Sequence, residues 1–197
     1  KPFIVFGEVL WDIFPDGKRL GGAALNFAYY FKKAGGKPKI VSVVGKDDLG
    51  NEALKEIRKL GLDCSYIQQI DKPTGIVNIL LDNEQHKFSI KRGTAWEHIN
   101  YPEKRLIDNS LGLYFGTVSR ISENNKFALD FLLDDLDEKV IFLDLNLREG
   151  FYDVRDVGYV LERINYLKLN EKETFFLREN KMIKGLTIED MAKNLIE

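Results

Sequence analysis

The chain has 197 residues, 44 % of them hydrophobic, which is enough for a buried core and argues against a disordered polymer. Lysine plus arginine number 29 against 31 for aspartate plus glutamate, and a net charge of −2 argues against holding nucleic acid or an acidic membrane by bulk charge. The single cysteine, Cys64, excludes an intrachain disulfide, and its spacing from His86 and His98 is not that of a metal set. No apolar run reaches the roughly 18 residues that a membrane span needs, and Lys1-Pro2-Phe3 does not open a signal segment. A cytoplasmic protein is expected.

Phe3 to Val9 reads as a buried strand ended by a turn-rich stretch that includes Asp16-Gly17. Gly21-Gly22 then precedes a helix over Ala23 to Ala34, with Ala24, Phe27, Ala28 and Phe31 on one face and Gly35-Gly36 closing it. Ile40 to Val44 is a second buried strand. Asp47 caps the helix that follows, whose inner face carries Leu49, Ala53, Ile57 and Leu60 before Gly61. Thr74 to Leu81 and His86 to Lys91 form a hairpin joined by Asp82-Asn83-Glu84-Gln85. Alternation then resumes: strand Leu111 to Phe115, helix Ser122 to Leu136, strand Val140 to Leu145, helix Val157 to Ile164, strand Tyr166 to Leu169. A short helix starts near Glu171, and Thr187 opens a last one with Asp190 as a capping partner. Such alternation predicts an α/β fold, a mostly parallel doubly wound sheet covered by helices on both faces. The hairpin and Val9 to Leu20 are excursions from it.

Four places in this order invite chemistry. Asp12 follows the first strand, at the carboxyl edge where open α/β sheets bind ligands. Gly22 lets a ligand approach the backbone, and Asn26 offers a donor and an acceptor from the first helical turn. By spacing alone the same residues also read as a capped surface turn with Asp12 solvated. Arg92, followed by Gly93-Thr94-Ala95-Trp96, is suited to bond a hydroxyl or a phosphate, or to sit as a solvated edge arginine, with Trp96 a packing residue. Asp144-Leu145-Asn146-Leu147-Arg148 ends a buried strand, and also reads as a helix-capping loop in which Asp144 supports the turn. Asn170-Glu171-Lys172-Glu173 also reads as an ordinary acidic first helical turn.

Gly21-Gly22-Ala23-Ala24-Leu25-Asn26-Phe27-Ala28, with Gly35 and then Gly45, resembles the N-terminal signature of the ribokinase/PfkB carbohydrate kinases. Gly7-Glu8-Val9-Leu10-Trp11-Asp12 with Phe14-Pro15 resembles the opening of fructokinases in particular. Arg92-Gly93 and Asp144-x-Asn146-x-Arg148 are similar to fructokinase segments, and Asn170-x-x-Glu173 to the family's Asn-x-x-Glu motif. The resemblance implies a ribokinase-like fold in which Asp12, Gly22, Asn26, Arg92 and Asn146 contact a sugar. Arg148 would stabilise the transferred phosphoryl group, for which a planar guanidinium is suited. Asn170 and Glu173, three apart on one helix face, would serve ATP and magnesium, with Glu173 acting through water because magnesium keeps most of its waters. Residues 1–197 would form a single incomplete domain. A β lid from about 9–20 and 74–96 would exclude water, and its edges would favour a homodimer.

The activity so implied is ATP-dependent phosphorylation of a free sugar, fructose first, by in-line transfer to a primary hydroxyl. Ribose, a ketodeoxy sugar acid or a nucleoside is the alternative within the fold. A non-catalytic sugar-binding or regulatory relative is the alternative of another class. The family's second signature, a Gly-Ala-Gly-Asp segment whose aspartate takes the proton of the attacking hydroxyl, has no match in the sequence, and neither does a P-loop. The chain is therefore expected to be the front part of such a kinase, without its catalytic base and inactive by itself.

Overall fold

The computed structural model describes residues 1–82 and 85–184, and their side chains apart from those of 80–88. The predicted Thr187 helix lies outside the described residues. In chain order the elements are β1 (Phe3–Phe6), β2 (Leu10–Phe14), β3 (Gly17–Gly21), α1 (Ala23–Lys33), β4 (Pro38–Gly45), α2 (Asp48–Lys59), β5 (Ile67–Ile70), β6 (Gly75–Asp82) and β7 (Gln85–Ile90). There follow α3 (Lys104–Asn109), β8 (Gly112–Gly116), α4 (Glu123–Asp135), β9 (Val140–Asp144), α5 (Val154–Leu161), β10 (Tyr166–Lys168) and α6 (Glu171–Glu179).

Six strands make one sheet in the order β10-β9-β8-β1-β4-β5, every pair parallel. The period-two alternation of side chains feeds two cores. Ile4, Phe6, Val41, Val43, Leu113 and Phe115 point to the face covered by α3 to α6, where Leu129, Leu132 and Leu133 of α4 meet them. Phe3, Val5, Ile40, Val44 and Tyr114 point to the other face, under α1 and α2. Winding reverses at β1, whose neighbours are β8 and β4, and that reversal opens a crevice at the carboxyl ends of the strands.

β3, β2, β6 and β7 form a second sheet, with β2 and β6 parallel and the two outer pairs antiparallel. The expected first strand over Phe3 to Val9 is two strands, because the chain leaves the main sheet at Gly7 (φ +155°) and starts β2 at Leu10. β3 escapes an apolar pattern because Gly17-Lys18-Arg19-Leu20 is mostly exposed. β5 and α3 are likewise additions, each too short to show a period. Leu60, expected on the inner face of α2, is 42 % exposed at its C-cap, and Leu54 is buried instead.

Asp47 joins the two sheets. It caps α2 by accepting from Gly50 N at 2.8 Å, and it accepts from Thr74 N (2.8 Å) and Thr74 Oγ1 (2.5 Å) just before β6. Asp47→Ala removes the cap and orphans the Thr74 amide, so a loss of about 1–2 kcal/mol is expected in chemical denaturation. Asp47→Asn, which keeps an acceptor, should recover most of it.

Candidate functional site

A cavity of about 430 Å3 lies in the crevice beside β1, between the main sheet, α1 and the second sheet. Its floor comes from strand ends: Glu8 after β1, Tyr114 of β8, Asp144 at the end of β9, Asn146 and Arg148 beyond it, and Lys168 at the end of β10. Gly22, Ala23 and Asn26 form one wall, and Asp12, Leu10, Val77 and Ile90 bring in the second sheet.

Local geometry explains these placements. Gly22 has φ +110°, and a Cβ there would lie 2.2 Å from the carbonyl oxygen of Glu8. At Gly21 a Cβ would lie 2.3 Å from Asp12 Oδ2, so the missing side chain leaves room for that carboxylate. Burial pushes the Asp12 carboxyl up, and the positive charge of Arg148 opposes this without cancelling it. Asn146 sits at φ +35°, a left-handed conformation that asparagine tolerates better than most residues. That turn directs the chain after β9 back along the cavity.

Asp144 is 6 % exposed. Its Oδ2 accepts from the Tyr114 hydroxyl at 3.0 Å and from Lys168 Nζ at 2.8 Å, while its buried Oδ1 has no hydrogen-bond partner among the described residues. Burial first, then the charge of Asp144, pushes the Tyr114 hydroxyl far up, so it stays a donor. Phe27 stacks on Tyr114 with ring centroids 3.9 Å apart, closing the apolar side. A polar floor under an apolar wall suits a small polyhydroxylated ligand that needs orientation.

Asp12, Gly22, Asn26, Asn146 and Arg148 of the sequence reading therefore line one cavity. The others are placed elsewhere. Arg92 is not among the residues lining the cavity: its Nε donates to Glu97 Oε2 at 3.0 Å and its guanidinium lies 5.4 Å from the Phe151 ring. The nearby anion is Glu97, buried and accepting from Thr94 N at 3.1 Å through its other oxygen. Trp96 is fully buried packing, pressed against Gly75.

Asn170 and Glu173 also stay out of the cavity lining and form a reciprocal cap at the start of α6. Asn170 Oδ1 accepts from Glu173 N (3.0 Å), and Glu173 Oε2 accepts from Asn170 N (2.9 Å). The other oxygen of Glu173, on a side chain only 7 % exposed, accepts from Leu147 N at 3.0 Å. Glu173 thus anchors the Asn146-Leu147-Arg148 turn from behind. Among the described residues no group of three or more His, Cys, Asp or Glu is placed to hold a metal ion. Burial pushes the Cys64 thiol up, which disfavours a reactive thiolate.

Glu8, Tyr114 and Lys168 were missed as site residues, and Asp144 was read as loop support alone. Each sits in or at the end of a parallel strand, so the carboxyl-edge rule that found Asp12 points to them too.

The sequence pattern of a family described as pfkB family carbohydrate kinase matches residues 7–196. Among curated proteins, a probable fructokinase-3 of Arabidopsis thaliana is 24 % identical over 209 residues, covering 93 % of this chain and 60 % of that protein. An ATP-dependent 6-phosphofructokinase of Thermoanaerobacterium thermosaccharolyticum is 28 % identical over 120 residues, covering 60 % of this chain and 37 % of its own length. The crystal structure of a fructokinase with bound ATP from Xylella fastidiosa superposes with a TM-score of 0.85 at 17 % identity, over 99 % of this chain and 65 % of that one. The chain thus spans less than two thirds of the length of these relatives.

Proposed function

The chain belongs to the pfkB family of carbohydrate kinases, and we propose that it is the sugar-binding portion of a kinase that transfers the γ-phosphoryl group of ATP to a free sugar, fructose first. The observation that carries this reading is the convergence of Asp12, Gly22, Asn26, Asn146 and Arg148 on one cavity at the switch point of the sheet. The names of the relatives, fructokinase and 6-phosphofructokinase, support a fructose-derived acceptor.

In this reading Asp12 accepts hydrogen bonds from sugar hydroxyls, and Asn26 and Asn146 both donate and accept. Arg148 faces the reacting end and offsets charge on the phosphoryl group in flight. The second sheet, with the turns over 9–20 and 74–96, acts as the lid that keeps water from the transfer, and its outer strands are the proposed homodimer contact. The role of Asn170 and Glu173 toward magnesium and the nucleotide rests on the motif alone. The reading assigns no catalytic base to residues 1–197 and places the protein in the cytoplasm. Among the described residues no helix is long and apolar enough to cross a membrane.

Calorimetric titration tests it without requiring turnover. Fructose should bind the chain, and Asp12→Ala should weaken binding at least about tenfold, the loss of one to two hydrogen bonds to a charged acceptor. No fructose binding by the wild type, or equal binding by a folded Asp12→Ala variant, would sink the proposal.

A further inference from the structure

Glu8 follows β1 in the short turn that leads into β2, and only 4 % of it is exposed. A buried carboxyl is costly unless it is paired or neutral. Its Oε1 accepts from the backbone amide of Ala23 at 2.9 Å. Ala23 is the first residue of α1, whose N-cap, Gly22, has no side chain with which to cap. Glu8 supplies that cap from another element. Its backbone carbonyl also packs against Gly22, at the place where a Cβ would sit. The two contacts together fix Gly22 and the first turn of α1, which carries Asn26 to the cavity that Glu8 itself lines.

We infer that Glu8 is a positioning residue for the sugar site and that it does this in its protonated, neutral form. It acts through Gly22 and Asn26. The titratable and charged groups lining the cavity with it are Asp12 from β2, Tyr30 from α1, Tyr114 from β8, Asp144 from β9, Arg148 from the turn beyond β9 and Lys168 from β10. Burial is the main force raising the Glu8 carboxyl above its ordinary range, and the charge of Asp144 adds to it. Hydrogen bonds from backbone amides and the charge of Arg148 oppose without prevailing. A neutral carboxyl still accepts from Ala23 N through its carbonyl oxygen.

For the ligand's identity the inference rests on the kinase reading; for the protonation state it does not. Glu8→Gln keeps the shape of the neutral acid, and Glu8→Ala removes the cap. Because the folded pKa is raised, the stabilising share of Glu8 is present at low pH and lost as pH rises through that pKa. The melting temperature of the ligand-free wild type should therefore fall relative to that of Glu8→Gln as pH rises above the ordinary glutamate range, about 4.3. Asp12, Tyr30, Tyr114, Asp144, Arg148 and Lys168 are common to both proteins, so the difference reads the Glu8 carboxyl together with its coupling to Asp144 and Arg148. Near pH 6, Glu8→Gln should bind fructose within about twofold of the wild type and Glu8→Ala at least about tenfold more weakly.

Parallel melting profiles overturn the neutral form. A tenfold weaker Glu8→Gln, or a folded Glu8→Ala that binds as the wild type does, overturns the positioning role. Should Glu8→Ala not fold, the Gln variant decides by itself. A wild type that binds no fructose at any pH refutes the sugar-site reading and the positioning role with it, while the melting profiles still decide the protonation state.

Discussion

Gly22→Ala is expected to lower stability by roughly 2–4 kcal/mol and to abolish measurable sugar binding. The backbone at Gly22 has φ +110°, a conformation that side-chain-bearing residues rarely adopt. The new Cβ would also meet backbone on the far side: the Glu8 carbonyl oxygen at 2.2 Å, its carbon at 3.0 Å and Val9 Cα at 3.4 Å. No flexible side chain is there to move aside, so the turn after β1 and the start of α1 must separate. That separation breaks the Glu8 cap on Ala23 and shifts Asn26. Gly35→Ala is the matched control, because Gly35 also has a positive φ (+89°) but nothing lies within 4 Å of its Cβ position. It should cost only the conformational share, about 1 kcal/mol, and leave binding intact. Denaturation midpoints with a fructose titration read both, and a Gly22→Ala no worse than Gly35→Ala would refute the close approach.

The same residues show how far a sequence carries the argument. Alternating apolar runs and glycine stops are local signals, so the strand and helix order emerges, including α4 over Glu123–Asp135 with Ser122 as its cap. Asp12, Gly22, Asn26, Asn146 and Arg148 are legible because a parallel sheet has one functional edge and the motifs lie along it. Asn170 and Glu173 show where the method stops. An i, i+3 spacing suits two groups sharing a ligand as well as it suits a reciprocal helix cap. The bond from the Leu147 amide to Glu173, 26 residues away in sequence, is one that no local pattern reveals. Arg92 is a similar case: an arginine beside a glycine-rich turn is suited to an anion, and its bond to buried Glu97, five residues on, becomes visible only in the fold. Glu8 lies inside the Gly7-Glu8-Val9-Leu10-Trp11-Asp12 run, where a carboxylate gains significance only once its burial and the helix start it caps are known.

Arg120→Met should cost roughly 3–5 kcal/mol at neutral pH, the range for removing one partner from a buried ion pair. Arg120 follows β8, with its side chain 2 % exposed. Its Nε and one terminal nitrogen grip both oxygens of Asp156 at 2.7 and 2.8 Å, and the other terminal nitrogen reaches Asp130 at 2.8 Å. It thereby ties α4 and α5 to the strand that also presents Tyr114 and leads to Val118 in the cavity wall. Methionine fills the volume but strands Asp156, which keeps only Lys126 at 2.9 Å. The pH dependence has a definite sign. Burial raises the Asp156 carboxyl, but the bonds and charges of Arg120 and Lys126 outweigh burial and hold it below the usual carboxylate range. Its stabilising share is therefore present above about pH 4 and lost as pH falls through the depressed value. Urea denaturation at about pH 7 and pH 3.5 should accordingly show the gap between wild type and Arg120→Met narrowing in acid. Adding Asp156→Leu should restore part of the loss, because the cost lies in the stranded charge more than in the missing attraction. A loss below about 1 kcal/mol at neutral pH, or a gap that widens in acid, would mean that the cluster is a screened surface network and not the brace that holds β8 in register with the site.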